Sequence, residues 1–195
     1  GGTAEANSVV KIYDGTTLVG TVTADAQGAW SLASTGTLAD GAHTFKATAT
    51  DAAGNTSALG TALTVTVDTV APQKPVITSI TPDNGASNSD FITSATQLVV
   101  SGTAEADSLM TVYDNGTAIG TVLTDAQGNW TITTASGLAD GAHRFSANAT
   151  DVAGNKSVNA NSVTMSIDTT APAAPTVASV GDDTGSSATD KITSD

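Results

Sequence analysis

Apolar and polar positions alternate along much of this chain. From His143 to Thr150, Phe145, Ala147 and Ala149 share one face while Arg144, Ser146, Asn148 and Thr150 share the other, the two-residue period of a strand with one side buried. Ser162 to Asp168 alternates again through Val163, Met165 and Ile167. Asn129 to Thr133 puts Trp130 and Ile132 on one face, and Gln97 to Thr103 does so with Leu98 and Val100. Further strands are predicted over Val76 to Ile80, Leu109 to Tyr113 and Ala118 to Leu123. Turn signals separate them. Asp114-Asn-Gly116 supplies the positive φ angles of a type I′ hairpin, and Asp125-Ala-Gln-Gly128 and Asp140-Gly141 read as further turns. Helical periodicity is missing.

The pattern then recurs. Residues 1 to 95 align without a gap on 101 to 195, and 46 of the 95 pairs are identical, so the chain is a tandem array. Asp68-Thr-Val-Ala-Pro72-Gln-Lys-Pro75 and Asp168-Thr-Thr-Ala-Pro172-Ala-Ala-Pro175 each follow an alternating run. Two prolines after an acidic residue read as a strand end, a stiff connector and a new unit. In that frame 71–170 is a complete repeat, 1–70 is a repeat lacking its first strand, and 171–195 opens a third. Seven or so short strands per complete repeat predict an all-β fold of tandem antiparallel sandwiches of immunoglobulin type. Such a reading excludes helical repeats and large α/β enzymes.

Composition narrows the function classes. Lys and Arg total 6 against 19 Asp and Glu, a formal net charge of −13, which repels nucleic acid phosphates and suits divalent cations. There is no cysteine, so neither a disulfide scaffold nor a thiolate metal site is available. Hydrophobic residues make up 39%, enough for packed cores, and no run is long enough to span a bilayer. Aromatics are few, so Trp30 and Trp130 are assigned to the sandwich cores, the alternative being an exposed platform for sugar rings. His43 and His143 open an inward-facing alternation and read as partly buried structural residues. No nucleophile elbow is present, and carboxylates that recur in every unit behave as structural groups rather than as an active site. The chain is therefore read as non-enzymatic.

Several motifs resemble a known family. Gly-Thr-Ala-Glu-Ala, the Tyr-Asp-Asn-Gly hairpin, Asp-Ala-Gln-Gly-Asn-Trp, Leu-Ala-Asp-Gly-Ala-His, Ala-Thr-Asp-Val-Ala-Gly-Asn and Asp-Thr-Thr-Ala-Pro are similar to those of bacterial immunoglobulin-like repeats in the extender regions of giant, type I secreted, biofilm-associated surface adhesins. The resemblance covers the whole chain. It implies an extracellular stalk on the bacterial surface, stiffened by calcium and holding a distal adhesive domain outward for cell adhesion and biofilm formation. Neither a distal ligand-binding domain nor the calcium-binding nonapeptide repeats of the secretion region occurs in these 195 residues. Alternatives are a module that itself binds a host or matrix glycan or protein, and a spacer in a secreted polysaccharide-degrading enzyme.

The candidate chemistry lies at the connectors. An immunoglobulin-type topology brings the loop after the second strand and the loop between the last two strands to the end nearest the preceding unit. Those loops hold Glu105 with Asp107 and Asp151 with Asn155, and Asp68 ends the unit before. Ca²⁺ takes about six to eight oxygens, and this set is the expected calcium site. Glu5 and Asp51 are its first-unit counterparts, and Asp168 begins the equivalent set at the next joint. The alternative is that Asp51, Asp68, Asp151 and Asp168 cap turns and strand ends. A second acidic loop contains Asp182, Asp183 and Asp190, matched by Asp83 to Asp90, either a calcium loop or a solvated polar loop. The expected partners are neighbouring repeats of the same chain, with neither nucleic acid nor membrane insertion in this segment. The incomplete terminal repeats add head-to-tail self-association by strand donation.

Overall fold

A computed structural model describes residues 1–33 and 36–178. It contains fourteen strands and no helix among those residues. The first unit carries β1 (Gly2–Thr3), β2 (Val9–Asp14), β3 (Thr17–Thr23), β4 (Ala29–Trp30), β5 (Gly41–Thr50) and β6 (Leu63–Val67). The second carries β7 (Val76–Thr81), β8 (Ile92–Thr93), β9 (Val99–Thr103), β10 (Leu109–Asp114), β11 (Thr117–Leu123), β12 (Asn129–Thr133), β13 (Gly141–Thr150) and β14 (Val163–Ile167).

The second unit is a two-sheet sandwich. One sheet has the order β12-β9-β7 and the other β11-β10-β13-β14-β8. Every pairing is antiparallel except β14 with β8, which is parallel. The opening segment thus serves both sheets: β7 lies on β9, with Val76 opposite Thr103, and the chain then crosses so that β8 edges β14. β8 is the element that alternation could not show, because two residues have no period. The β10–β11 turn has Asn115 at φ 48° and Gly116 at φ 82°, the two positive angles that the Asn-Gly pair promises.

Between the sheets lie Leu98, Val100, Met110, Val112, Phe145, Ala147, Ala149 and Met165, all fully buried. Trp130 joins them at 3% exposure, which leaves no ring face for a sugar. Its ring lies against Gly102, where an added Cβ would sit 2.5 Å from the indole and 2.0 Å from the Val76 carbonyl. Only glycine lets β7 and the indole approach β9 together.

In the first unit the large sheet is β3-β2-β5-β6, and the opposing sheet is reduced to β1 paired with β4. Among the described residues β4 is the only strand paired with β1, and the core of this unit is thinner. The buried cluster is Val10, Ile12 and Ala24, with Trp30, Leu32 and Phe45 only partly covered.

Candidate functional site at the joint between units

The loops at the joint are positioned by short hydrogen bonds, most of them from residues that occur in both repeats. Asp151 opens a tight loop: its Oδ1 accepts the Asn155 N–H at 2.8 Å and its Oδ2 accepts the Asn155 side-chain amide at 2.9 Å. The backbone closes the loop from Gly154 N to Asp151 O at 3.2 Å, with Gly154 at φ 96°. Asp51 and Asn55 form the same loop in the first unit, with both bonds at 2.8 Å. Burial opposes ionisation of Asp151, but bonds from the Asn155 side chain and from the Asn155, Gly154 and Ala153 backbone outweigh it and hold the carboxyl below its usual range. The Asn55 side chain is the largest influence lowering Asp51.

The second proton of the Asn155 amide crosses the joint. Asn155 Nδ2 donates to the backbone carbonyl of Asp68 at 3.0 Å, so one amide ties the loop of the second unit to the last residue of the first. The Asp68 carboxylate turns inward on its own connector and accepts the Val70 N–H at 3.0 Å, as Asp168 does with Thr170 at 3.0 Å. Lys74 Nζ donates to Asn161 Oδ1, and Pro72 and Pro75 are both buried. The connector is held along its length rather than only at its ends.

Two residues of the joint were legible as turns only. Asp40 Oδ1 accepts both the Thr69 N–H and the Thr69 hydroxyl, each at 2.9 Å. Asp140 repeats this with Thr169 at 3.1 and 2.8 Å and adds the Thr170 hydroxyl at 3.0 Å. The signal was the Asp and Thr recurring at the same 29-residue separation in both repeats, Asp40 with Thr69 and Asp140 with Thr169.

The remaining acidic residues are placed as follows. Glu105 uses its backbone carbonyl, which accepts the Ser108 and Thr124 hydroxyls, each at 2.7 Å. The Glu5 carbonyl accepts Ser8 in the same way at 2.7 Å. Asp107 is exposed at φ 58°, the position where the first unit has Asn7 at φ 62°, and Asp and Asn are the side chains that tolerate that region. Asp68 and Asp151 are therefore brought together through Asn155, and Glu105 and Asp107 stand in the neighbouring turn. Among the described residues no three acidic or histidine side chains converge as an ion site. Asp182, Asp183 and Asp190 lie outside the described residues.

The histidines hold the other end of the same strands. His143 Nδ1 meets Asp114 Oδ2 at 2.6 Å and Nε2 meets the Ala139 carbonyl at 3.0 Å. His43 does the same with Asp14 at 2.5 Å and Ala39 at 2.8 Å. Two acceptors on two ring nitrogens favour the doubly protonated ring. For His143, burial opposes the charge, yet the Asp114 carboxylate and the Ala139 carbonyl prevail and its pKa is raised. The hydrogen bond to Asp14 is the largest influence raising His43. A raised folded-state pKa gives stability that is complete below the unfolded value of about 6.5 and is lost as pH rises through the folded value. Melting temperature should therefore fall as pH increases from about 6.5, and the double variant H43Q/H143Q should flatten that slope; an equally steep slope in the variant would refute the assignment.

Comparison with known proteins decides the family. A family model described as a bacterial Ig-like domain matches residues 1–69 and again 71–169. The chain belongs to that family. Among curated proteins it is similar to exoglucanase B of Cellulomonas fimi, 35% identical over 176 residues, covering 84% of this chain and 15% of that one. Chitinase A1 of Niallia circulans is 37% identical over 158 residues, covering 79% and 21% respectively. The chain thus spans a fifth or less of one relative's length and about a fifth of the other's. Among solved structures, a tetra-tandem repeat in the extending region of a large adhesion protein is 27% identical with a TM-score of 0.39, over 86% of this chain and 43% of that one.

Proposed function

We propose that this pair of bacterial Ig-like units is a spacer whose task is to set distance and direction between other parts of a surface protein. The observation that carries this is the Asn155 amide, which bonds the Asp151 carboxylate of one unit and the Asp68 carbonyl of the preceding one, while Pro72 and Pro75 of the connector are buried. A binding module needs an exposed recognition surface, whereas Trp130, the aromatic of the complete unit best suited to stack on a sugar, is in its core.

The finer reading is an extender of a type I secreted bacterial adhesin. It lies outside the cell and carries a distal adhesive domain for attachment and biofilm formation. The recurrence of Gly-Thr-Ala-Glu, Asp-Ala-Gln-Gly and Leu-Ala-Asp-Gly-Ala-His in both repeats supports it. A second reading, a spacer in an extracellular polysaccharide-degrading enzyme, is favoured by the exoglucanase and chitinase relatives. An antibody to these units should label intact cells in the first case; the second places the antigen in culture fluid together with hydrolase activity.

Calcium belongs to the same proposal. The oxygens drawn toward each other across the joint, the Asp68 carbonyl and the Asp151 carboxylate, already share the Asn155 amide. An ion would replace that amide and recruit Glu105 and Asp107, and the amide alone would hold the joint without it. Small-angle scattering should give a longer, stiffer particle in calcium than in chelator, and N155A should shorten the chelator-state particle further. Identical profiles and melting temperatures with and without calcium would remove the ion from the proposal, and an unchanged N155A profile would remove the amide.

A further inference from the structure

The second unit carries a polar cleft on the face of β13 that turns away from the core. It encloses about 700 Å³ and is lined by Arg144, Ser146, Asn159, Asn161 and Ser162 together with the Asn115 turn, a size that suits a small ligand. The chain has a net charge of −13, yet this lining holds an arginine and no carboxylate.

The hydrogen bonds around the cleft consume acceptors and leave donors. Asn148, 1% exposed, spends its amide protons on the Tyr113 hydroxyl at 3.0 Å and on Asn159 Oδ1 at 3.1 Å. Lys74, whose ammonium can only donate, donates to Asn161 Oδ1. Arg144 is steadied by its Nε, which donates to Ser162 Oγ at 2.6 Å, and by its backbone N–H, which donates to Asn115 Oδ1 at 3.1 Å. What remains is the amide nitrogen of Asn159, that of Asn161, and the terminal nitrogens of the Arg144 guanidinium. None of these meets an acceptor among the described residues, and the Ser146 hydroxyl makes no hydrogen bond there.

The first unit has none of this chemistry. Thr44, Lys46, Thr48, Leu59, Thr61 and Ala62 stand where the second unit has Arg144, Ser146, Asn148, Asn159, Asn161 and Ser162, although the interleaved Phe45, Ala47 and Ala49 recur as Phe145, Ala147 and Ala149. Asn148 also keeps a buried Oδ1 with no hydrogen bond, which costs stability. The same framework folds in the first unit with threonine at that position, so the sandwich does not require the asparagine. Holding Asn159 with its amide nitrogen free does.

Converging donors around a guanidinium recognise an anion, and the planar pair of terminal arginine nitrogens matches a carboxylate bidentately. The flanking amides and serine hydroxyls suit the hydroxyls of a sugar ring. Ala160 is the largest apolar side chain in the lining, which leaves little to hold the side chains of a peptide. We propose that this cleft binds a uronic acid residue of an acidic polysaccharide, with the carboxylate on Arg144 and the ring hydroxyls on Asn159, Asn161 and Ser146. The site adds to the spacer reading and depends neither on it nor on calcium.

Nuclear magnetic resonance titration of the isotope-labelled 195-residue chain in chelator, with digalacturonic acid as the probe, should shift the signals of Arg144, Asn159, Asn161 and Ser162. Their first-unit counterparts should stay in place, and the dimethyl ester of the same sugar should leave all of them unmoved. R144T installs the residue of the first unit, so the fold tolerates it, and it should weaken binding by about ten- to a hundredfold, as loss of a charged hydrogen-bonding partner does. No shift with digalacturonic acid, equal shifts with its ester, or binding undiminished by R144T would each overturn the proposal. A tetraglutamate peptide that binds at least as tightly would overturn it as well, because the site would then read carboxylates without the sugar.

Discussion

Phe145→Ala should cost the second unit about 3–5 kcal/mol, near the upper end of large-to-small core changes, while Phe45→Ala should cost the first unit distinctly less. Phe145 is fully buried between sheets that are both complete, so its removal leaves a cavity whose walls are held by strands on either side. Phe45 occupies the same register, opposite Asp14 as Phe145 is opposite Asp114, but is only partly covered, and part of its ring area is already in water. A domain of this size has about 5–15 kcal/mol in total, so the loss from Phe145→Ala removes much of the reserve. Tryptophan fluorescence during denaturant unfolding separates the units, with Trp130 reporting in a W30F background and Trp30 in a W130F background. Equal midpoint shifts for the two phenylalanines would contradict the difference in burial between Phe45 and Phe145.

Gly102→Ala should be the second large effect, about 1–3 kcal/mol or more for an overpacked site. The new methyl would lie 2.0 Å from the Val76 carbonyl oxygen and 2.5 Å from the Trp130 ring. A backbone carbonyl in a paired strand cannot swing aside, so β7 must separate from β9 or the indole must leave its place. At Gly2 the same methyl meets the Trp30 ring at 2.8 Å but no strand carbonyl; that ring is only half-buried and has room to turn. Gly2→Ala should therefore be mild. A melting temperature unchanged by Gly102→Ala would mean that β7 does not lie on β9 as described.

Alternation and turn chemistry placed most strands of the complete unit within a residue or two, because one buried face enforces a period that local sequence must obey. Phe145, Ala147 and Ala149 were assigned inward and are fully buried. β8 was beyond that method, since its two residues are defined by the edge of β14 that they meet rather than by a pattern of their own. Trp130 was assignable to the core from scarcity of aromatics, but the glycine beneath its ring acquires meaning only once β7 is seen on the other side.

The acidic residues divide in the same way. That Asp51, Asp68, Asp151 and Asp168 sit at loop and strand ends followed from the repeat. Which hydrogen bonds they accept did not, because a carboxylate in a turn is equally suited to its own backbone, a neighbouring amide or an ion. Asp68 and Asp151 are 83 positions apart by their numbering, and what joins them is the Asn155 amide at a joint between units. Asp40 with Thr69, and His143 with Asp114, are pairs of the same kind.

By itself, then, the amino-acid order determined the all-β class, the hundred-residue repeat and the inward faces, because each follows from a period or a turn rule acting over a few residues. The tertiary structure alone decided that the opening segment serves both sheets of the second unit, that Asn155 holds the joint and that Trp130 rests on Gly102. Those depend on which surfaces meet after folding, and separation along the chain carries no information about that.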